Sequence, residues 1–79
     1  MIMKLISAQL EAFYTLSQTL NFTKAAEKLH VTQSALSQRI LNLEKQLELT
    51  LFIRDRSGLR VTEAGLKLMR YCQQQMNLE

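Results

Sequence analysis

Residues 21–47 of this 79-residue chain read NFTKAAEKLHVTQSALSQRILNLEKQL, and this stretch decides the fold. Asn21 is a strong helix N-cap, and the apolar residues from Phe22 to Leu29 recur at the spacing of one helix face. A break of three residues follows, and Thr32 offers a second N-cap. The pattern predicts a short helix, a tight turn and a longer helix, which together form a helix-turn-helix.

The longer helix has one apolar face and one polar face. Projection at about 100° per residue places the apolar residues on the buried side, namely Leu36, Ile40, Leu43 and Leu47. The opposite side carries Ser34, Gln38, Leu41 and Lys45. In a helix-turn-helix, the N-terminal part of the second helix enters a major groove of DNA. The polar side of this helix is therefore the candidate surface for reading bases.

Two short β-compatible segments follow the longer helix and predict a hairpin. Residues 51–54 and 59–62 are joined through residues 55–58, a turn-like segment that contains a glycine. Residues 54–60 hold three arginines and one aspartate, so the hairpin is basic. The predicted fold class is mainly α, a winged helix-turn-helix of three helices and a small β-hairpin wing, followed by a long linker helix.

Two further helices flank this motif. The first is predicted over residues 7–19, with an apolar face that includes Ile6, Leu10, Phe13, Tyr14, Ser17 and Leu20. The last covers residues 62–79 and carries two apolar seams, one of Gly65, Met69, Cys72 and Met76 and one of Ala64, Leu68 and Tyr71. Only one side of the last helix can face the small rest of the domain, so the domain cannot bury both seams. We therefore expect a dimer interface on one of them, and the sequence leaves open which one.

Composition excludes several classes of function. The net charge is +3, which fits a nucleic-acid partner. Cys72 is the only cysteine and His30 the only histidine, so neither an internal disulfide nor a structural zinc site can form. The chain has no nucleophile with a paired base, no paired carboxylates and no signal peptide or membrane-spanning run. We expect a cytosolic protein that is not an enzyme and needs no cofactor.

Three linked blocks of sequence resemble the N-terminal DNA-binding domain of the LysR-type transcriptional regulators. They are residues 21–44, residues 51–54 (LFIR) and residues 61–65 (VTEAG), in the family's order and spacing. The resemblance implies a winged helix-turn-helix over residues 1–61 and a dimerising linker helix over residues 62–79. It also implies an inverted-repeat DNA operator. A small-molecule effector would act only through a downstream domain, which these 79 residues do not include.

The resemblance also implies roles for individual residues. Helix 33–46 would read the major groove, with base contacts at Gln33, Ser34, Ala35, Ser37 and Gln38. Wing 53–61 and its neighbours would contact the DNA backbone or the minor groove through Thr32, Arg39, Arg54, Arg56 and Arg60, with Arg54 the most structural of the wing arginines. The dimer interface would draw on Ala64, Gly65, Leu68, Met69, Cys72 and Met76.

The chain departs from the family pattern at three positions. Glu48 stands where relatives commonly have a glycine in the left-handed conformation, so either the backbone is kept at a cost of about 1 kcal/mol or the helix runs a residue longer. Ser34 stands where proline is frequent, which leaves an N–H at the helix start. Gln38 stands where arginine is frequent.

A helical module that acts only by protein association is the alternative function. It would explain the apolar seams of the last helix, but not the arginines of the wing or the polar face of the longer helix. A membrane-surface role needs a helix with a dense basic face, whereas the charges on the first and last helices are few and mixed. Binding to duplex DNA with a steep dependence on salt distinguishes DNA recognition from both.

Gln38 supplies a test of base reading. An amide bonds bidentately to the N6 and N7 edge of adenine, whereas arginine suits N7 and O6 of guanine. We expect Gln38→Arg to shift the preference at one base pair of each half-site from adenine to guanine by about 1–3 kcal/mol. Selection of bound sites from random duplexes measures this shift, and identical selected sites for the two proteins would refute it.

Overall fold

The computed structural model describes the backbone of residues 2–75 and the side chains of residues 8–75. Within these residues, four helices and one antiparallel hairpin follow one another along the chain. They are α1 (Ile2–Thr19), α2 (Phe22–Leu29), α3 (Gln33–Leu47), β1 (Phe52–Asp55), β2 (Gly58–Val61) and α4 (Glu63–Gln75). This order confirms the predicted architecture, which is mainly α with a small hairpin wing.

Helix α1 differs from its prediction at its first residue and at the last residue of its predicted apolar face. It begins at Ile2 rather than near residue 7, since neither proline nor glycine interrupts the chain there. Its buried side is centred on Phe13 and Leu16, which are fully buried. Leu20 is exposed, because its positive φ of 51° turns the chain out of the helix. The assignment of Leu20 to the apolar face was therefore wrong.

Side-chain caps begin both helices of the helix-turn-helix. The Oδ1 atom of Asn21 accepts a hydrogen bond from the N–H of Lys24 at 2.9 Å. The Oγ1 atom of Thr32 accepts one from the N–H of Ala35 at 3.0 Å. Both caps agree with the sequence prediction. Between them, His30 ends α2 in the left-handed conformation, with a φ of 57°.

Helix α3 ends at Leu47 and does not run a residue longer. Glu48 keeps the left-handed conformation that relatives give to glycine, with a φ of 56°. The N–H of Glu48 donates to the carbonyl of Lys45 at 3.3 Å, and the N–H of Leu49 donates to the carbonyl of Glu44 at 3.1 Å. Leu47 is 41% exposed, so its placement on the buried face was wrong, because the last turn extends beyond the core.

One core unites all the helices with the start of the hairpin. Its fully buried side chains include Phe13, Leu16, Leu36, Leu51 and Cys72. The ring of Phe13 also meets that of Phe52, with 5.4 Å between the ring centroids. Small side chains at Ala25 and Ala26 are buried where α2 packs on α1 and α3. This close packing fixes the angle between the two helices of the motif.

The backbone of Leu51 connects α3, the hairpin and α4. Its N–H donates to Oε2 of Glu44 at 2.7 Å, and its carbonyl accepts from the N–H of Thr62 at 2.9 Å. The hydroxyl of Thr62 donates to the carbonyl of Thr50 at 2.6 Å and accepts from the N–H of Gly65 at 3.0 Å. Thr62 therefore caps α4 and ties it to the segment that leads into the wing.

Gly65 is required by this close approach. A Cβ atom at position 65 would lie 2.6 Å from the carbonyl oxygen of Leu51 and 2.5 Å from Cγ1 of Val61. The former contact is with backbone, which cannot rotate away. Alanine would therefore have to push α4 off the Leu51 segment.

This contact predicts the sign of a stability change. Glycine to alanine inside a helix ordinarily stabilises by about 0.5–1 kcal/mol, but we expect Gly65→Ala to destabilise by about 1–3 kcal/mol through overpacking. Urea unfolding measures the change, with Lys67→Ala on the exposed side of the same helix as the control. A more stable Gly65→Ala variant would contradict the contact.

Candidate nucleic-acid interface

The first two turns of α3 present a polar surface. Gln33, Ser34, Ser37 and Gln38 are exposed, as the helical projection predicts, whereas Ala35 is half-buried. Arg39 is also half-buried. Hydroxyl and amide groups at these positions are suited to hydrogen bonds with base edges, and a half-buried alanine offers only an apolar contact.

Two hydrogen bonds orient the amides of this surface. Nε2 of Gln33 donates to Oγ1 of Thr23 at 2.8 Å, which links the start of α3 to the bracing helix α2. Nε2 of Gln38 donates to Oδ1 of Asn42 one turn later at 3.1 Å. The Gln38 amide keeps its carbonyl oxygen and a second N–H for another partner. The bond to Asn42 therefore orders Gln38 without exhausting its capacity for bidentate contact.

The wing is a hairpin with a two-residue loop, Arg56 and Ser57. Asp55 pairs with Gly58 across the end of the strands, and Oδ1 of Asp55 accepts from the N–H of Ser57 at 2.9 Å. Gly58 has a φ of 114°, a conformation that side chains rarely adopt. The glycine and the aspartate thus close the turn and leave Arg56 at its tip.

The three wing arginines have different surroundings. Arg60 is paired with Asp55, with 2.6 Å between Nη2 and Oδ2, although its side chain remains 62% exposed. Arg56 and Arg54 are exposed and form no ion pair within residues 8–75. The wing therefore neutralises one of its three positive charges internally and leaves two for an anionic partner.

Arg54 lies between the wing and α3. Its Cζ atom is 4.9 Å from the centroid of the Phe22 ring. With Phe22, it lines an open groove whose other walls are Gln33, Ser34 and Ser37. Sequence reasoning assigned Arg54 to DNA backbone contact, as the most structural of the wing arginines, but did not find Phe22, since no local spacing links a strand arginine to the first residue of a distant helix.

Helix α4 orients its two seams differently. Gly65 and Cys72 are buried against the chain's own core, so their assignment to an exposed dimer interface was wrong. Met69 is half-buried and also packs on the core. Ala64, Leu68 and Tyr71 line an open groove with Leu47 and Leu49, and Tyr71 is 50% exposed. Met76 lies outside the described residues.

Other chemistry is limited in the part of the chain that the structure describes. Burial raises the pKa of the Cys72 thiol, so the thiol stays protonated and behaves as a small apolar group. Residues 2–75 contain no group of three or more His, Cys, Asp or Glu that could hold a metal ion. No helix among the described residues is long and apolar enough to cross a membrane.

A basic hairpin beside the exposed polar face of a helix-turn-helix defines a winged helix-turn-helix protein. Residues 7–66 match the family described as bacterial regulatory helix-turn-helix protein, lysR family. The chain belongs to this family. It is 48% identical over 68 residues to the HTH-type transcriptional regulator HdfR of Salmonella newport. That alignment covers 86% of this chain and 24% of HdfR, so the chain spans about a quarter of its curated relative.

Solved structures of other proteins share the fold. A complex of BenM_DBD with catB site 1 DNA superposes with a TM-score of 0.84 at 31% identity, over 89% of this chain and 79% of that one. Oxidized OxyR of Corynebacterium glutamicum gives a TM-score of 0.83 at 36% identity, over 89% of this chain and 22% of that one. The chain is thus a DNA-binding domain of the kind found in lysR-type transcriptional regulators.

Proposed function

We propose that this domain binds double-stranded DNA sequence-specifically, with the start of α3 in a major groove and the wing on the adjacent backbone. The observation that carries this proposal is the groove shared by Ser34, Ser37 and Arg54, in which a wing arginine adjoins the polar face of α3. The BenM_DBD complex, which has the same fold and contains DNA, supports DNA binding by this domain.

The proposed base contacts are Gln33, Ser34, Ala35, Ser37 and Gln38. Among them, Ser34, Ser37 and Gln38 are exposed, and each can donate and accept hydrogen bonds. Gln33 would contact bases near the motif's turn while its amide nitrogen is held by Thr23. Gln38 is the exposed amide of the second turn, and it would contact a base edge through the carbonyl oxygen and the N–H that its bond to Asn42 leaves available.

The proposed backbone contacts are Thr32, Arg39, Arg54, Arg56 and Arg60. Arg56 has the strongest claim, because it is exposed at the tip of the wing and no carboxylate within residues 8–75 pairs with it. Arg60 would have to share its guanidinium between Asp55 and a phosphate. Phosphate contacts of this kind contribute affinity without sequence preference.

We further propose that the domain works as a homodimer through α4. The support is the open apolar groove formed by Ala64, Leu68 and Tyr71 beside Leu47 and Leu49, which none of the described side chains of residues 8–75 fills. Two copies related by a two-fold axis would place their α3 helices in major grooves about one helical turn or a multiple apart. An inverted-repeat operator follows from that symmetry.

The same reasoning extends to a full-length protein that contains such a domain. We propose a cytoplasmic transcriptional regulator without catalytic activity or cofactor, whose small-molecule effector would bind a downstream domain. Selection of bound sites from random duplex DNA at defined salt tests the function as a whole, since it returns operator sequence, symmetry and spacing together. Recovery of no enriched sequence would refute sequence-specific binding.

Removal of Arg56 tests the wing. The logarithm of the binding constant falls as the logarithm of salt concentration rises, and each lost phosphate contact makes this negative slope shallower by about 0.9. We expect Arg56→Ala to weaken binding to all duplexes similarly and to reduce the slope by about that amount. Titration at several salt concentrations measures it, with Arg70→Ala on the exposed surface of α4 as the control of equal charge. Unchanged binding of both Arg56→Ala and Arg60→Ala would contradict the wing assignment.

Substitution of Tyr71 tests the dimer. Because Tyr71 is half exposed on the uncovered seam, we expect Tyr71→Glu to leave the fold intact and to weaken dimerisation at least about tenfold, or ~1.4 kcal/mol. Gln73→Glu adds the same charge at an exposed position about 160° around the helix and should leave the dimer unchanged. Sedimentation equilibrium measures both. A strictly monomeric wild-type chain that binds a half-site as tightly as a full operator would contradict the proposal.

A further inference from the structure

We propose that Phe22 is a positioning residue for DNA recognition, because its ring holds the guanidinium of Arg54 in the groove between the wing and α3. The inference rests on the proposed function, because it assumes that Arg54 of the wing contacts DNA and assigns to Phe22 of α2 the positioning of that arginine. Phe22 itself need not touch DNA. Its effect on binding would pass through Arg54.

The ring of Phe22 is well placed to act as a platform. Phe22 is the first residue of α2, directly after its capping residue Asn21. It is half-buried and packs against the hydrophobic core, so its inner side is held by the fold. The Cζ atom of Arg54 lies 4.9 Å from the ring centroid, within the distance at which a guanidinium and an aromatic face attract.

Stacking leaves the hydrogen-bonding edge of Arg54 available. No carboxylate within residues 8–75 forms an ion pair with Arg54, and its Cζ atom lies over the Phe22 ring. The five N–H donors of a guanidinium lie in its plane. Donors that do not point at the ring can bond a phosphate or base while the contact with Phe22 is kept, and the side chain loses less conformational freedom on binding.

The same contact links two elements that must act together. Phe22 belongs to α2, which is tied to the first residue of α3 through the bond between Gln33 and Thr23. Arg54 belongs to β1, so its stack on Phe22 connects the wing to the helix pair. Both residues line the groove that also contains Ser34. Phe22 thus sets the distance between the wing arginine and the base-reading surface.

A double-mutant cycle separates this role from simple packing. We expect Phe22→Leu to weaken binding about two- to five-fold to a duplex recovered by site selection, which is the range expected for a cation–π contact at a surface. In the Arg54→Ala background, the same substitution should have no further effect. Phe22→Tyr keeps the aromatic face and should retain wild-type affinity.

The direct readout is the NMR shift of the Arg54 side chain in the free protein. The Phe22 ring current should displace the Arg54 Nε–H and δ-methylene resonances, and this displacement should vanish in Phe22→Leu and persist in Phe22→Tyr. Tyr14→Leu is the matched control, since it removes a half-buried ring that packs against the core and does not line a groove with Phe22 or Arg54. We expect it to lower the melting temperature while the Arg54 shift and the DNA affinity are retained.

The outcomes distinguish the two proposals. The positioning role would be overturned, while DNA binding stands, if Phe22→Leu lowered the affinity equally in the wild-type and Arg54→Ala backgrounds. Absence of the ring-current shift in the wild-type protein would overturn it as well. If the ring-current shift were present but the wild-type domain bound no duplex, the proposed function would be overturned. The contact between Phe22 and Arg54 would then have no role in DNA binding. All binding is measured below the melting temperature of every variant.

Discussion

The backbone of Leu51 is the constraint on which the wing and α4 both depend. The carboxylate of Glu44 accepts from the N–H groups of Leu51 and Phe52 at 2.7 and 3.3 Å, so the last turn of α3 holds the start of β1. The carbonyl of Leu51 accepts from Thr62, which opens α4. Bonds to a charged acceptor are among the stronger ones in proteins. Helix α3, the wing and α4 therefore share a single short segment of chain as their common anchor.

Local signals made most of the fold predictable. The caps at Asn21 and Thr32, the apolar spacing of Leu36, Ile40 and Leu43, and the hairpin closed by Gly58 all act within a few residues, and the structure contains each of them. The exposed face of α3 was predictable for the same reason, because helical geometry alone decides it. The candidate base-reading surface could thus be located by counting residues along one helix.

Contacts between distant residues were beyond the sequence. Nothing near Glu44 marks it as the acceptor for Leu51, seven residues later, and nothing near Phe22 points to Arg54. The two seams of α4 were visible, but their direction depends on how the helix rests on the core. Gly65 was assigned to the dimer interface, whereas the structure places it in close contact with the backbone of Leu51 in the same chain.

The helix ends show how this chain stops a helix without glycine. Leu20, His30 and Glu48 all have positive φ values, between 51° and 57°. Each such residue costs about 1–2 kcal/mol relative to a right-handed conformation, yet each also restricts the unfolded chain more than glycine would. The strain in the folded domain is thus partly offset by a smaller loss of entropy on folding. These three helices therefore end at exposed non-glycine residues with a left-handed backbone. A single substitution at one of these residues changes the unfolded ensemble as well as the native structure.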